Sequence, residues 1–304
     1  MGYLFLFISV ISGSVKGFFA KKISDKTPGI EGAILTNFIR MIFCIPIGLI
    51  FILIDGSISD LAVSGDVLLI AAFTGITTGI FIVSWLLAVK QSAFTAVDTF
   101  IALGILVPIF LSSLVYQESV SASQIIGLIL LIGAVMIMSA YNNQIKEKLS
   151  LPALILLLLV SLSNGLTDFA YKIFSYSATS TPASVFNFYI YLFSAATLIC
   201  AFALIRLKQG EQKNEENSAT NLIDRKKALY IFIMAIFLFS NSYFKTLATN
   251  RLSAVEVYPL MQGTAIILTL AMSCIFFKEK IKPLCILGLA LLFTSLLFIN
   301  VISF

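Results

Sequence analysis

Apolar segments long enough to cross a lipid bilayer recur along the whole chain. A helix needs about 20 apolar residues to span the hydrocarbon core. The segments are continuously apolar and do not alternate with polar residues, which excludes a transmembrane β-barrel. The sequence therefore predicts an all-α integral membrane protein. Its ten predicted helices cover 3–23, 32–54, 67–89, 94–115, 122–140, 151–173, 183–206, 228–248, 254–277 and 283–302.

The composition agrees with lipid as the main solvent. Of the 304 residues, 59% are hydrophobic and 12% are charged, whereas a soluble domain averages about 25% charged residues. The net charge of +5 comes from residues between the apolar segments, without the basic, aromatic-interleaved patch of a nucleic-acid-binding surface. We therefore expect a multi-pass protein of the cytoplasmic (inner or plasma) membrane, with the lipid bilayer but no nucleic acid as a partner.

The sequence contains few of the residues and motifs that a catalytic or metal site requires. It contains no histidine, the commonest general base and metal ligand. Its four cysteines lie inside apolar segments without C-x-x-C spacing, so small buried side chains are favoured over redox or metal ligands. No phosphate-binding G-x-x-x-x-G-K-[ST] motif is present. We expect no cofactor, no metal and no catalytic residues, and hence not an enzyme.

The first half of the chain resembles the second half in the same order. We predict two repeats, 1–145 and 146–304, with a polar loop over 208–227 in the second. Each half carries five predicted helices, and this odd number gives the halves opposite orientations in the membrane. Inverted repeats of this kind are typical of secondary transporters, whose site lies between the repeats. The matching pairs are Phe19–Ile23 with Phe169–Ile173, Asn37-Phe38 with Asn187-Phe188, Thr95–Asp98 with Ser253–Glu256, and Tyr116–Glu118 with Phe277–Glu279.

Two further features recur in the fourth and ninth predicted helices. Each contains a central proline, Pro108 or Pro259, and each is closed by a glutamate, Glu118 or Glu279. With the inverted five-helix halves, these features resemble the EamA-like members of the drug/metabolite transporter superfamily. The resemblance implies a transporter in which predicted helices 1–4 and 6–9 line a central cavity and helices 5 and 10 buttress it. The Trp-Gly often seen in the first helix of that family is replaced by Ser12-Gly13.

Polar and ionisable side chains inside apolar segments are the candidate binding residues, because a charge within a bilayer usually faces a cavity or a partner. Lys16 and Arg40 lie roughly 10 and 12 Å from the nearer helix end at 1.5 Å per residue. We expect both to face the cavity, with a structural ion pair as the alternative. The repeat-related Asn37 and Asn187 either bind polar groups of a substrate or join helices. The predicted substrate-binding residues are Lys16, Asn37, Arg40, Asn187 and Lys245.

A second set of charges is predicted to gate or couple transport. Asp98 and Glu256 occupy equivalent positions in the two halves, so we expect them near opposite membrane faces. Lys22 and Lys172 are their expected partners, in pairs that separate when a face opens. A released carboxylate would also bind a proton more readily, which makes a proton the candidate coupling ion. The alternatives are snorkelling of the lysines and favourable placement of the acids at helix starts.

Asp168 belongs to the same predicted gating set. It lies four residues before Lys172 on one helix face, so a local ion pair between them is the alternative. The predicted gating or coupling residues are Lys22, Asp98, Asp168, Lys172 and Glu256.

The loop charges predict an orientation in the membrane. Lysines and arginines concentrate in the loops after predicted helices 1, 3, 5, 7 and 9. The positive-inside rule places these loops in the cytoplasm and both termini outside. The family resemblance implies the opposite, with both termini inside.

Together these features predict a secondary transporter that moves a small organic metabolite by alternating access. A cavity with Lys16 and Arg40 among its cations favours an anionic or zwitterionic solute, such as an amino acid, over a bulky cationic drug. A lipid head-group flippase and a membrane-embedded enzyme acting on lipid-linked substrates are the alternatives. A monomer and a homodimer are both compatible with the sequence.

Overall fold

The computed structural model describes residues 1–24, 27, 29–91, 94–145, 151–177, 180–209, 225–276 and 283–300. Every regular element in these ranges is a helix, which confirms the predicted all-α class. The helices are α1 (Gly2–Ser24), α2 (Gly29–Asp55), α3 (Gly65–Gln91), α4 (Phe94–Leu103), α5 (Leu106–Tyr116), α6 (Ala122–Ile145), α7 (Leu151–Ser177), α8 (Ala183–Gln209), α9 (Arg225–Thr249), α10 (Ala254–Phe276) and α11 (Pro283–Asn300), with a short 3-10 helix at Ile58–Leu61.

Seven of the described helices are long and apolar enough to cross a membrane, namely α1, α2, α3, α7, α8, α9 and α10. Shorter apolar helical stretches cover Phe100–Tyr116, Ala122–Ala134 and Ile286–Ile299. They correspond to the other three predicted segments. The polar loop predicted over 208–227 is shorter at both ends, because α8 continues to Gln209 and α9 begins at Arg225. Residues 210–224 of that loop lie outside the described residues.

The fourth predicted helix is two helices, because the chain turns at Gly104 and Ile105 between α4 and α5. A Cβ atom at Gly104 would collide with the backbone carbonyl of Ser161 on α7. A Cβ atom at Gly165 would collide in the same way with the carbonyl of Gly104. The two backbones approach this closely only because neither glycine carries a side chain. Pro108 falls in the first turn of α5, where a missing N–H leaves no helical hydrogen bond unmade.

A pair of glycines one helical turn apart, Gly75 and Gly79, lies where α3 packs closely against α8. A Cβ atom at Gly75 of α3 would lie 2.6 Å from the Cβ of Phe193 on α8, and one at Gly79 would lie 3.2 Å from the Cγ2 of Thr197. The side chain of Ser194 donates a 2.8 Å hydrogen bond to the carbonyl of Gly75. Small residues therefore let α3 pack directly against α8.

The helix contacts have a two-fold pattern that relates the two halves. Contacts of α1 with α9 have their counterpart in those of α3 with α7, and α2–α9 has its counterpart in α3–α8. Three contacts join equivalent helices: α2 with α8, the α4 segment with α10, and α6 with α11. This is the pattern expected when two similar halves pack around one central axis. The boundary between the repeats at 145/146 stays a prediction.

The beginning of α1 lies on the same face as the ends of α5, α7 and α9, because consecutive spans run in opposite directions. We call this the N-terminal face. The hydroxyl of Tyr3 lies 3.2 Å from Oε1 of Glu256 at the start of α10. The ammonium of Lys172, late in α7, donates a 3.0 Å hydrogen bond to the carbonyl of Leu252, which follows α9.

Candidate functional site

A central cavity of about 120 Å³ lies between helices from both halves of the chain. The helices that contribute lining side chains are α1, α3, α4, α7, α9 and α10, whereas α2, α5, α6, α8 and α11 contribute none of the described lining residues. The family resemblance implied a cavity lined also by the second and seventh predicted helices, but α2 and α8 lie behind its wall. A polar cavity inside an apolar bundle marks a substrate or ion pathway by default. The charged and amide side chains that line it are Lys16, Asn164, Asp168, Asn241, Lys245 and Gln262.

A buried ion pair crosses the cavity wall between α7 and α9. Nζ of Lys245 lies 2.7 Å from Oδ1 of Asp168. The other carboxylate oxygen accepts a 3.1 Å hydrogen bond from Nδ2 of Asn164, and the ammonium lies 4.2 Å from the ring centroid of Tyr171. Both oxygens of Asp168 are thus occupied, as a buried carboxylate requires. The local pair between Asp168 and Lys172 that their spacing allowed does not form.

Lys16 brings a second cation to the same cavity from α1. Its ammonium lies 5.0 Å from the ring centroid of Trp85 on α3, a cation–π contact that holds the charge at the cavity wall. The described lining residues thus include two ammonium groups, from Lys16 and Lys245, and one carboxylate, from Asp168. Their formal sum of +1 favours a solute that brings a negative group.

The structure places the two repeat-related asparagines away from the cavity wall. Nδ2 of Asn187 donates to Oγ1 of Thr246 at 2.9 Å, and its Oδ1 accepts from the hydroxyl of Tyr171 at 3.2 Å. Nδ2 of Asn37 donates to the backbone carbonyls of Ala33 and, on α3, of Ile82. Both amides therefore join neighbouring helices, the alternative role that the sequence left open.

Arg40 is also outside the lining of the cavity. It is 1% exposed in the middle of α2, and none of its three guanidinium nitrogens has a hydrogen-bond partner among the described residues. The structural ion pair that was the alternative for Arg40 is absent from the described part of the chain. The arginine is buried, charged and uncompensated within the protein described here.

A second polar cluster, which we call the Glu118 cluster, lies at the N-terminal face. Oε1 of Glu118, just after α5, lies 2.9 Å from Nζ of Lys172 and accepts a 2.8 Å hydrogen bond from the hydroxyl of Tyr176. Oε2 accepts a 3.0 Å hydrogen bond from the backbone N–H of Ala254 at the start of α10. One carboxylate thereby ties the end of α5 to α7 and α10.

The expected pair of Lys172 with Glu256 is replaced by the pair of Lys172 with Glu118. The carboxylate of Glu256 instead accepts hydrogen bonds from the backbone N–H and the hydroxyl of Ser253, at 2.9 and 2.8 Å. Ser253 and Glu256 form a capping box at the start of α10, which explains why Glu256 turns toward its own helix. This corresponds to the helix-start alternative.

At the opposite face, Lys22 is exposed near the end of α1. Its ammonium lies 4.4 Å from the ring centroid of Phe18. The side chain of Asp98, its expected partner, lies outside the described residues.

Several residues of the site were not among the predicted ones. Asn164 precedes Asp168 by one helical turn, so the spacing that singled out Lys172 on one side of Asp168 also points to Asn164 on the other. Trp85 is the single tryptophan of the chain. Glu118 was recognised only as the residue that closes a helix, because its partners come from other helices.

A family model described as the EamA-like transporter family matches residues 1–140 and 149–301. No curated protein matches the chain. A solved structure described only as "Crystal structure of protein" is similar, with a TM-score of 0.64 and 15% sequence identity over 99% of this chain and 98% of that chain. At this identity the likeness concerns the fold alone.

Proposed function

The chain belongs to the EamA-like transporter family, and on that premise we propose that it carries a small anionic or zwitterionic metabolite by alternating access. Membership makes it a multi-pass membrane transporter of the drug/metabolite type. We place it in the cytoplasmic membrane. The observation that supports the proposed solute is the meeting of Lys16 with the Asp168–Lys245 pair in one central cavity.

The charges of the cavity suit a solute with an amino-acid-like head group. The positive charge of Lys16 at the cavity wall attracts a carboxylate, and a charge-assisted interaction of this kind is stronger than a neutral hydrogen bond. Asp168 offers a negative charge to the ammonium of a zwitterion, with Lys245 compensating that carboxylate when the solute is absent. Trp85 and Tyr171 add aromatic surface for an apolar side chain.

The size of the cavity supports a small metabolite. Its 120 Å³ is well below the roughly 300–1,000 Å³ of pockets that bind drug-sized ligands. A bulky cationic drug is disfavoured by size as well as by charge.

The Glu118 cluster provides the closed gate that alternating access requires. The side chains of Lys172 and Glu118 are only 4% and 10% exposed. Separating a buried ion pair leaves an uncompensated charge in a poorly solvated site, which is costly. The pair therefore favours the closed N-terminal face. A solute that binds better when this face is open shifts the balance by its difference in affinity. We propose that Lys22 and Asp98 act at the opposite face and Glu256 beside this gate.

Uptake by purified protein in lipid vesicles tests this function. A panel of labelled amino acids, organic acids and organic cations should give saturable uptake of an anionic or zwitterionic member. Lys16→Ala should reduce that uptake by at least about 10-fold, equivalent to ~1.4 kcal/mol of lost interaction. Lys226→Ala, which removes an exposed lysine at the start of α9, is the matched control and should transport normally.

Normal uptake by Lys16→Ala, or uptake of organic cations only, would contradict the proposal. A pH gradient across the same vesicles tests coupling to a proton, since a coupled transporter accumulates solute above the external concentration. Movement of labelled lipids between leaflets without uptake of any soluble member would instead identify a head-group flippase.

A further inference from the structure

Arg40 is a buried cation whose counter-charge is missing from the described protein. Its Nε, Nη1 and Nη2 atoms are all buried without a hydrogen-bond partner. Arginine stays charged in proteins, and a buried unpaired charge is strongly destabilising. One helical turn earlier, Oδ1 of Asn37 is also buried without a partner. Unpaired donors and an unpaired acceptor therefore lie close together on α2.

The described surroundings of Arg40 supply no carboxylate. The neighbouring ionisable groups are the thiol of Cys44, one turn later, and the phenol of Tyr191 on α8. Both belong to the apolar core cluster that α2, α8 and α9 share with α3 and α7. The carboxylates in the described ion pairs have other partners: Glu31 with Arg206, Glu118 with Lys172 and Asp168 with Lys245.

A short chain of contacts connects this position to the central cavity. The hydroxyl of Tyr191 bonds to Oγ of Ser242 and to the carbonyl of Leu238, both on α9. Ser242 and Leu238 also line the cavity. Tyr191 thus neighbours Arg40 and is bonded to two residues of the cavity wall, and a change in its side-chain conformation would connect the two.

We propose that Arg40 anchors an anion subsite behind the wall of the central cavity. Its ligand is a small monovalent anion, either a halide or a carboxylate group. The guanidinium offers a planar set of N–H donors that suits either one. A water molecule entering with the anion would donate to Oδ1 of Asn37, so one hydrated anion satisfies both unpaired groups.

The thermal stability of the purified protein tests the subsite without requiring transport. A ligand that binds only the folded protein raises its melting temperature. Sodium morpholinoethanesulfonate, whose anion is bulky, is replaced stepwise by sodium chloride or sodium acetate at constant ionic strength. We expect a saturable rise in Tm of roughly 2 °C or more for the wild-type protein and no rise for Arg40→Met.

Two further variants and the choice of salt make the result specific. Arg206→Met removes a half-exposed arginine and should keep the wild-type response. Arg40→Lys loses the planar donor set, so its half-maximal rise in Tm should require an anion concentration at least roughly 5-fold higher. In the sulfonate alone, Arg40→Met should be at least as stable as the wild type, since it exchanges an unpaired charge for an apolar chain of similar length. A response to acetate alone identifies a carboxylate site, one to chloride alone a halide site, and one to both a general anion site.

The subsite is refuted if neither anion raises the Tm of the wild-type protein. It is also refuted if Arg40→Met responds to the anions as the wild type does. Should Arg40→Met not fold, the same response by Arg40→Lys refutes it. Such a failure leaves the proposal for the central cavity intact, because uptake by Lys16→Ala tests that site separately.

Discussion

Asp168 and Lys172 lie one turn apart on α7 and form ion pairs with two different parts of the chain. Asp168 pairs with Lys245 of α9 at 2.7 Å inside the central cavity. Lys172 pairs with Glu118 at 2.9 Å at the N-terminal face. A single rigid helical turn therefore connects the proposed solute site with the proposed gate. We therefore expect a solute that displaces Asp168 to act through this turn on the Glu118 cluster.

The Asp168–Lys245 pair should depend on both of its members. Asp168→Asn leaves the ammonium of Lys245 buried and uncompensated, so it should lower the free energy of unfolding by about 3–5 kcal/mol. The double variant Asp168→Asn/Lys245→Met removes that charge and should recover a large part of the loss. Denaturant titration of the purified proteins in detergent measures both. A double variant no more stable than Asp168→Asn would show that the pair is not the source of the effect.

Glu118→Gln should open the N-terminal face. The amide keeps the shape of the side chain but loses the charge that holds Lys172, so the open state becomes more populated. A cysteine at Gln262 of the cavity wall, in a background lacking the natural cysteines, should react about 5-fold faster or more with an impermeant thiol reagent applied at this face. Glu31→Gln, which removes the half-exposed pair with Arg206, is the control. Equal rates in all three proteins would exclude a gate at Glu118.

Asn187→Ala should affect stability more than solute affinity. It removes the hydrogen bonds that connect α8 to Thr246 and Tyr171, each worth about 0.6 kcal/mol on average in membrane proteins. The melting temperature should fall, while the KM for the transported solute should change by less than about 2-fold. A large rise in KM at unchanged stability would restore Asn187 as a direct substrate contact.

The orientation of the chain is predicted from its loop charges. By the positive-inside rule the N-terminal face is outside. A C-terminal reporter enzyme active only outside the cytoplasm should therefore be active, and its cytoplasm-dependent counterpart inactive. The reverse pattern would support the orientation implied by the family resemblance.

The sequence revealed the membrane class and the segments because these depend on local properties. A long apolar run is a helix in lipid wherever it lies in the chain. Contacts between distant segments were not predictable in this way. The turn at Gly104 depends on backbone contact with Ser161 and Gly165 of α7, so the neighbouring sequence does not predict it.

The ion pairs were missed for the same reason. Asp168 and Lys245 are separated by 77 positions, whereas sequence spacing identifies only neighbours three or four residues apart. The spacing suggested Lys172 as a partner for Asp168, and the fold gives each of them a different one. The membrane depth of Arg40 is evident from the sequence, but its lack of a partner among the described residues is visible only in three dimensions.

The placement of Trp85 gives this transporter an optical reporter of its own. The chain contains one tryptophan, so all of its indole fluorescence originates at the wall of the central cavity. The ammonium of Lys16 lies 5.0 Å from that ring, where its charge acts directly on the indole. A solute that draws Lys16 away, or that covers the ring, will therefore change the emission. Unlabelled protein can in this way be titrated with unlabelled solutes, and the colour or brightness of its light records when the cavity is occupied.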